Sequence, residues 1–158
     1  MADKPEPADF SESDIEQVAM RWLARRDYAR GELSRRLRGR GMPSDRIDAV
    51  LDDLEKHNML SDARFAETFI NARVSRGQGP FRIRNELEER GVSGELIEAA
   101  FDEAGTDWVR VATEVRRKKF GGDGPADASQ LARQLRFLRY RGFEADHIRG
   151  ALKQDDFD

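Results

Sequence analysis

The chain has 158 residues, 37% of them charged, and its 28 Lys+Arg against 31 Asp+Glu leave a net charge of −3. That length suits one compact domain or a short array of small modules, and the balance excludes a whole-molecule basic field that coats DNA indiscriminately. With no cysteine, disulfide scaffolds, thiol catalysis and zinc–thiolate sites are excluded. No apolar run approaches the roughly 20 residues of a membrane span, and Met1 to Glu6 lacks a signal-peptide pattern, so a soluble, cytoplasmic protein is expected. Arginine outnumbers lysine 23 to 5. Its planar fork suits carboxylates and phosphates, although a GC-rich coding bias produces the same excess.

In chain order, residues 1–12 read as an acidic, proline-containing disordered tail. Ser13 with Glu16 three positions on reads as the capping box of a first helix, whose apolar face is Ile15, Val18, Ala19, Trp22 and Leu23. A second helix closes on Leu37, Arg40 and Gly41, and Pro43-Ser44 precedes a third bearing Ile47 and Leu51. The sequence then repeats itself. Ser61-Asp62 opens a helix with Phe65, Ala66, Phe69 and Ile70; Gly79-Pro80 places proline in the first turn of the next. Leu87, Arg90, Gly91, Val92, Ile97 and Phe101 restate the earlier pattern. Trp108, Val111, Ala112 and Val115 open a third round, Gly121 to Pro125 forms a loop, and Leu138, Arg141, Gly142, Phe143, Ile148 and Leu152 complete it.

The shared string is Leu-x-x-Arg-Gly-apolar-x4-Ile-x3-(Leu/Phe). Leu and Arg close a helix, glycine supplies the left-handed residue beyond it, and the following apolar residue folds back onto the helix end. No stretch alternates with period two, so no strands are expected. The reading is all-α: three tandem three-helix repeats at 13–59, 60–105 and 106–155. Each unit buries little apolar surface alone, so neighbours must pack end to end, and an elongated, curved array follows.

Catalytic constellations are missing. His57 and His147 sit near helix ends and read as solvated. Asp45, Asp48 and Asp52 line one helical face without the carbonyls of a calcium loop. Gly77-Gln78-Gly79 follows a helix rather than a strand, and the GGDG stretch lacks the Lys and Ser/Thr of a phosphate loop. Neither an enzyme nor a cofactor or metal site is expected.

Charge is arranged in blocks. Arg21 to Arg46 holds nine Arg against three acids, whereas Asp45 to Glu55 holds five acids against one Arg. Arg73, Arg76, Arg82 and Arg84 run without an acid between them, and Glu86 to Glu103 then holds seven acids and one Arg. Arg110 to Lys119 has five cations and one acid, and Arg133, Arg136, Arg139 and Arg141 are again free of intervening acids. Either these blocks form a basic stripe for phosphates or an acidic protein, or neighbouring helices of opposite charge pair internally.

The residues that carry the repeat also carry a likeness. From about Ile15 to Lys153 the chain resembles the RecX family, bacterial regulators of the RecA recombinase. The resemblance rests on Leu23 to Tyr28 with Glu32-Leu33, Leu60 to Ala66 with Phe69, and the run Arg76 to Leu87 with its G-P-x-x-I-x-x-E-L-x-x-x-G string. Lys118 to Gly121 and Arg136 to Phe143 continue it. The family usually opens its second helix with a small hydroxyl residue. Here Ala29 precedes Arg30-Gly31, with Asp27 as the available cap.

The resemblance implies an all-helical protein that lodges in the groove of RecA nucleoprotein filaments. There it would damp ATP hydrolysis, strand exchange, co-protease activity and filament growth, in DNA repair and SOS control, with weak single- or double-stranded DNA binding. The candidate contacts to RecA or DNA are Arg25, Arg26, Arg35 and Arg36 in the first unit. Arg73, Arg76, Arg82 and Arg84 follow in the second, and Arg116, Arg117, Lys118, Lys119, Arg139 and Arg141 in the third. Reversing the second group to Glu is expected to weaken inhibition with helicity intact. A monomer without membrane association is expected, and a DNA-binding helical module acting on nucleic acid directly is the alternative.

Overall fold

The threefold string builds the same turn three times. The computed structural model describes residues 10–154, and among them there are nine helices and no strand. These are α1 (Glu12–Leu23), α2 (Arg30–Gly39), α3 (Ser44–Lys56), α4 (Asp62–Ser75), α5 (Pro80–Glu89), α6 (Gly94–Ala104), α7 (Trp108–Phe120), α8 (Ala128–Tyr140) and α9 (Ala145–Gln154).

At the end of the second helix of each repeat, Gly41, Gly91 and Gly142 hold φ of 84°, 85° and 97°, the left-handed region that a Cβ disfavours. In the first, Met42 N–H donates to the Leu37 carbonyl (3.4 Å) and Gly41 N–H to Arg38 (2.8 Å). In the third, Phe143 donates to Leu138 (3.1 Å) and Gly142 to Arg139 (2.9 Å). Both are Schellman closures, which satisfy the last helical carbonyls. The apolar residue after each glycine (Met42, Val92, Phe143) is buried, as are Leu37, Leu87, Leu138 and Ile47, Ile97, Ile148. Only the last position varies: Leu51 and Phe101 are buried and Leu152 is partly so.

The described residues fall into two compact units, one of residues up to Ala66 together with Glu88–Ile97, the other of Glu67–Leu87 with the residues from Glu98 onward. The boundary runs through the middle repeat because each neighbour of that repeat is locked to one of its parts. In the first unit, α1 and α2 both pack on α3 around Ile15, Trp22, Leu33, Leu37, Ile47, Leu51 and Leu54. The start of α2 lies against the α5–α6 turn. A Cβ on Gly31 would stand 2.7 Å from the Arg90 carbonyl oxygen and 3.1 Å from Gly91 Cα. In the second unit, α7, α8 and α9 pack on one another around Ala112, Leu138, Phe143, Ile148 and Ala151. There the start of α5 meets the α8–α9 turn: Gly79 N–H donates to Arg141 (2.8 Å) and Phe81 N–H to Gly142 (3.0 Å). The same step joins one repeat to the next in both units, the first turn of a second helix docking on the following repeat's glycine turn.

Three expectations need correction. The capping box lies two residues earlier than Ser13/Glu16: Ser11 Oγ accepts from Asp14 N–H (3.1 Å) and Ser11 N–H donates to Asp14 (3.0 Å). Hydrogen bonding from the Ser11 amide, and then from its side chain, holds the Asp14 carboxyl below its ordinary range. Phe10 packs on the cluster containing Ile15, a hydrophobic staple that fixes this register. Of the tail expected over residues 1–12, Phe10 to Glu12 belong instead to this cap and the first turn of α1, and residues 1–9 lie outside the described residues. At α2, Asp27 is not the cap. Ala29 N–H donates to Glu32 (3.0 Å), and Arg30 N–H donates to Asp62 (2.7 Å) at the start of α4. Thirdly, His147 is half-buried, its ring 6.3 Å from that of Trp108 with Nδ1 shielded from solvent; His57 at the end of α3 is exposed as read.

Candidate interaction surface

Helices that carry cations on one side and acids on the next can neutralise each other across their shared rim, and many do. Arg30 on α2 reaches three α3 carboxylates: Asp52 at 2.7 Å, Glu55 at 3.0 Å and Asp48 at 3.9 Å. Burial works against its charge, but the Glu55 and Asp52 carboxylates prevail and raise its pKa. The acidic face of α3 is thereby tied to α2. Asp62, beneath the start of α2, is pushed up by burial, with the Arg30 amide opposing.

The fourteen candidate cations sort by what they touch. In the first unit, Arg26 pairs with Glu32 (3.2 Å) and lies 3.6 Å over the Tyr28 ring. Arg36 bonds the Tyr28 hydroxyl and covers Trp22 at 4.2 Å, and Arg35 donates to the Glu89 carbonyl across the repeat junction. Arg25 is exposed. In the second unit, Arg73 and Arg82 share Glu86 at 3.2 and 3.3 Å. Arg84 is held by Glu98 (2.8 Å) and Glu144 (3.2 Å) while covering Phe101. Reversing these three to Glu would break internal pairs. The quadruple substitution would therefore remove contacts internal to the fold as well as any contact to a partner.

Arg116 also departs from that reading, because it is buried. It lies one helical turn beyond Ala112 and so shares the core face of α7. Its Nη1 donates to Gln134 Oε1 (3.2 Å) and to the Asp123 carbonyl (3.3 Å), fastening the 121–127 loop. Burial and the neighbouring Arg117 hold its pKa below the ordinary guanidinium value. Arg117 and Arg139 are exposed.

The remaining four, Arg76, Lys118, Lys119 and Arg141, converge on one cleft of about 500 Å³, floored by Val74, Val111, Val115 and Phe137 and rimmed by Glu114. Arg141 Nη1 donates to the Arg76 carbonyl (3.0 Å) and its guanidinium lies 5.2 Å from the Phe137 centroid; Lys119 Nζ is 5.7 Å from the same ring. Two features escaped the sequence reading altogether. Arg30, not chosen as a contact, is the most heavily engaged cation of the first unit, and Phe81 and Tyr140 are exposed aromatics in the second. No local signal marked them, since both lie within ordinary helical patterns. Among the described residues there is no cluster of His, Asp and Glu able to hold a metal ion, and no helix is long and apolar enough to cross a membrane.

Fold and cleft together define an all-helical protein of three tandem three-helix domains with a local cluster of four cations on one cleft. Sequence profiles divide it in the same way: the first, second and third three-helix domains of RecX match residues 16–54, 61–100 and 106–152. The chain is 42% identical over 144 residues to the regulatory protein RecX of Halorhodospira halophila, covering 91% of this chain and 89% of that one. With the regulatory protein RecX of Pseudomonas syringae pv. tomato it shares 46% over 134 residues, 85% and 86% of the two chains. The crystal structure of RecX from Lactobacillus salivarius superposes with a TM-score of 0.81 at 20% identity, covering 93% and 97%. The chain belongs to the RecX family of regulatory proteins.

Proposed function

We propose that this protein binds RecA nucleoprotein filaments in the bacterial cytoplasm. As a monomer it would restrain their ATP hydrolysis, strand exchange, co-protease activity and growth, tuning recombination and the SOS response. Membership of the RecX family across all three domains carries this reading. The repeated architecture supports it physically. A filament presents equivalent surfaces at regular intervals, and linked modules that each bind modestly reinforce one another by raising the effective concentration of the next contact. Arg25 and Arg139 with the four cations of the cleft are the candidate contacts to acidic subunit surfaces or exposed phosphate. Those locked in pairs serve the fold.

Co-sedimentation with RecA filaments assembled on single-stranded DNA with a slowly hydrolysed nucleotide tests the proposal. Recovery of the chain with filaments, together with a dose-dependent fall in RecA ATP hydrolysis, is expected. A chain that stays in the supernatant and leaves hydrolysis unchanged refutes it.

A further inference from the structure

The loop that joins α7 to α8 holds Asp123-Gly124, the one place in the chain where glycine follows an aspartate; no asparagine precedes a glycine. That pairing has a chemistry of its own. A backbone amide can attack the carboxyl of the side chain before it and close a five-membered imide, and glycine brings no Cβ to obstruct the ring. Both residues are exposed, and a Cβ built on Gly122 or Gly124 meets nothing within 4 Å. Among the described residues, neither the Gly124 N–H nor the Asp123 carboxyl takes a hydrogen bond or an ion pair. Nucleophile and electrophile are therefore both uncommitted. Asp127 in the same loop is not, because its carboxyl caps α8 through Gln130 N–H (2.8 Å).

A group beneath the loop sets this site apart from an ordinary exposed Asp-Gly. Arg116 is fully buried, and its Nη1 donates to the Asp123 main-chain carbonyl at 3.3 Å. Burial disfavours its charge, and a carboxylate delivered to the same place would offset that cost. The imide route supplies one. On closure the Gly124 nitrogen bonds to Asp123 Cγ and gives up its proton, and the Cγ hydroxyl leaves as water. A second water then opens the ring. Attack at Cγ restores the aspartate. Attack at the main-chain carbonyl carbon breaks its bond to the Gly124 nitrogen, which recovers a proton. The backbone then runs through Cγ, and the carbonyl that Arg116 held has become a free α-carboxylate.

We propose that Asp123 is a site of isoaspartate formation and that Arg116 captures the isoaspartyl form. The modification conserves mass and net charge, moves the carboxylate from solvent onto the buried guanidinium, and lengthens the α7–α8 connection by a methylene. It is independent of the RecA reading, since neither its presence nor its absence decides filament binding.

The test holds the full chain warm at neutral pH until the ratio of isoaspartyl to aspartyl product at position 123 is constant. One sample is folded and the other is unfolded in guanidinium chloride. Tryptic peptide 120–133, read by electron-transfer fragmentation, gives the ratio and carries Asp127 as an internal control. Both products can close to the imide again, so the more stable one accumulates. A charge-assisted hydrogen bond is roughly twice as strong as the neutral one it replaces, so the folded ratio is expected to exceed the unfolded one by about tenfold. R116M is expected to bring the folded ratio down to the unfolded one, and G124A to suppress formation in both samples. The folded and unfolded parent are compared whether or not R116M folds. Absence of isoaspartate at 123 in the folded chain overturns the proposal. Equal ratios in the folded and unfolded parent, or equal formation in G124A, overturn it as well.

Discussion

Gly79→Ala probes the step by which the middle repeat is locked to the third. A methyl at that position would lie 2.3 Å from the Gly142 carbonyl carbon, 2.4 Å from its oxygen and 2.4 Å from Phe143 N. All three are backbone atoms, so no side chain can swing away, and ordinary contact requires the α5 start to withdraw by about 1 Å. That withdrawal stretches the Gly79–Arg141 and Phe81–Gly142 hydrogen bonds, now 2.8 and 3.0 Å, beyond useful length. Overpacking costs about 1–3 kcal/mol and each of the two lost bonds about 0.5–1.5 kcal/mol, so a loss of about 2–6 kcal/mol is expected. For a chain of this size that lowers Tm by roughly 4–24 °C. Thermal and urea unfolding followed by circular dichroism read it directly. Gly39→Ala is the control. Its Cβ meets nothing within 4 Å, and alanine there is expected to stabilise by up to about 1 kcal/mol. Unfolding of G79A within 2 °C or so of the parent would refute the close-packed junction.

Three further outcomes follow from the same contacts. G31A at the equivalent step is expected to cost less, about 1–2 kcal/mol in urea unfolding, because it meets one carbonyl oxygen at 2.7 Å while gaining helix propensity. R116M removes the donor to Gln134 and to the Asp123 carbonyl; about 1–3 kcal/mol of stability is expected to go, with faster proteolysis of the 121–127 loop. Asp62 binds its proton more tightly folded than unfolded. Its contribution is therefore fully present below the ordinary carboxyl value of 3.8 and lost as pH rises through the raised one. D62N is expected to abolish that part of the acid-side stability profile and keep the acceptor for Arg30 N–H, whereas D62A loses about 1 kcal/mol of capping at all pH values.

The repeat frame was legible because it rests on local rules. A glycine beyond a helix end, an apolar residue folding back and Ile one turn into the next helix leave the same trace wherever they recur. Cap register was not legible: Ser11/Asp14 and Ser13/Glu16 offer the same box two residues apart, and the choice is made by Phe10 packing on the first core. Nor could the charged runs be resolved into structural and available cations. Arg84 finds Glu144 sixty positions away, Arg30 is capped by Asp62 from the next repeat, and Arg116 turns inward because the face begun at Ala112 continues. The cleft escaped for the same reason. Arg76, Lys118 and Arg141 meet only once α4, α7 and α8 have packed.

RecA-catalysed ATP hydrolysis on single-stranded DNA, titrated with this protein at rising salt, tests the central claim most directly. Direct phosphate binding through 6–10 contacts would fall by about 10³–10⁵ between 50 and 200 mM. The account predicts that hydrolysis is still suppressed at salt where the chain no longer binds a bare oligonucleotide. Suppression that vanishes in step with oligonucleotide binding would contradict it.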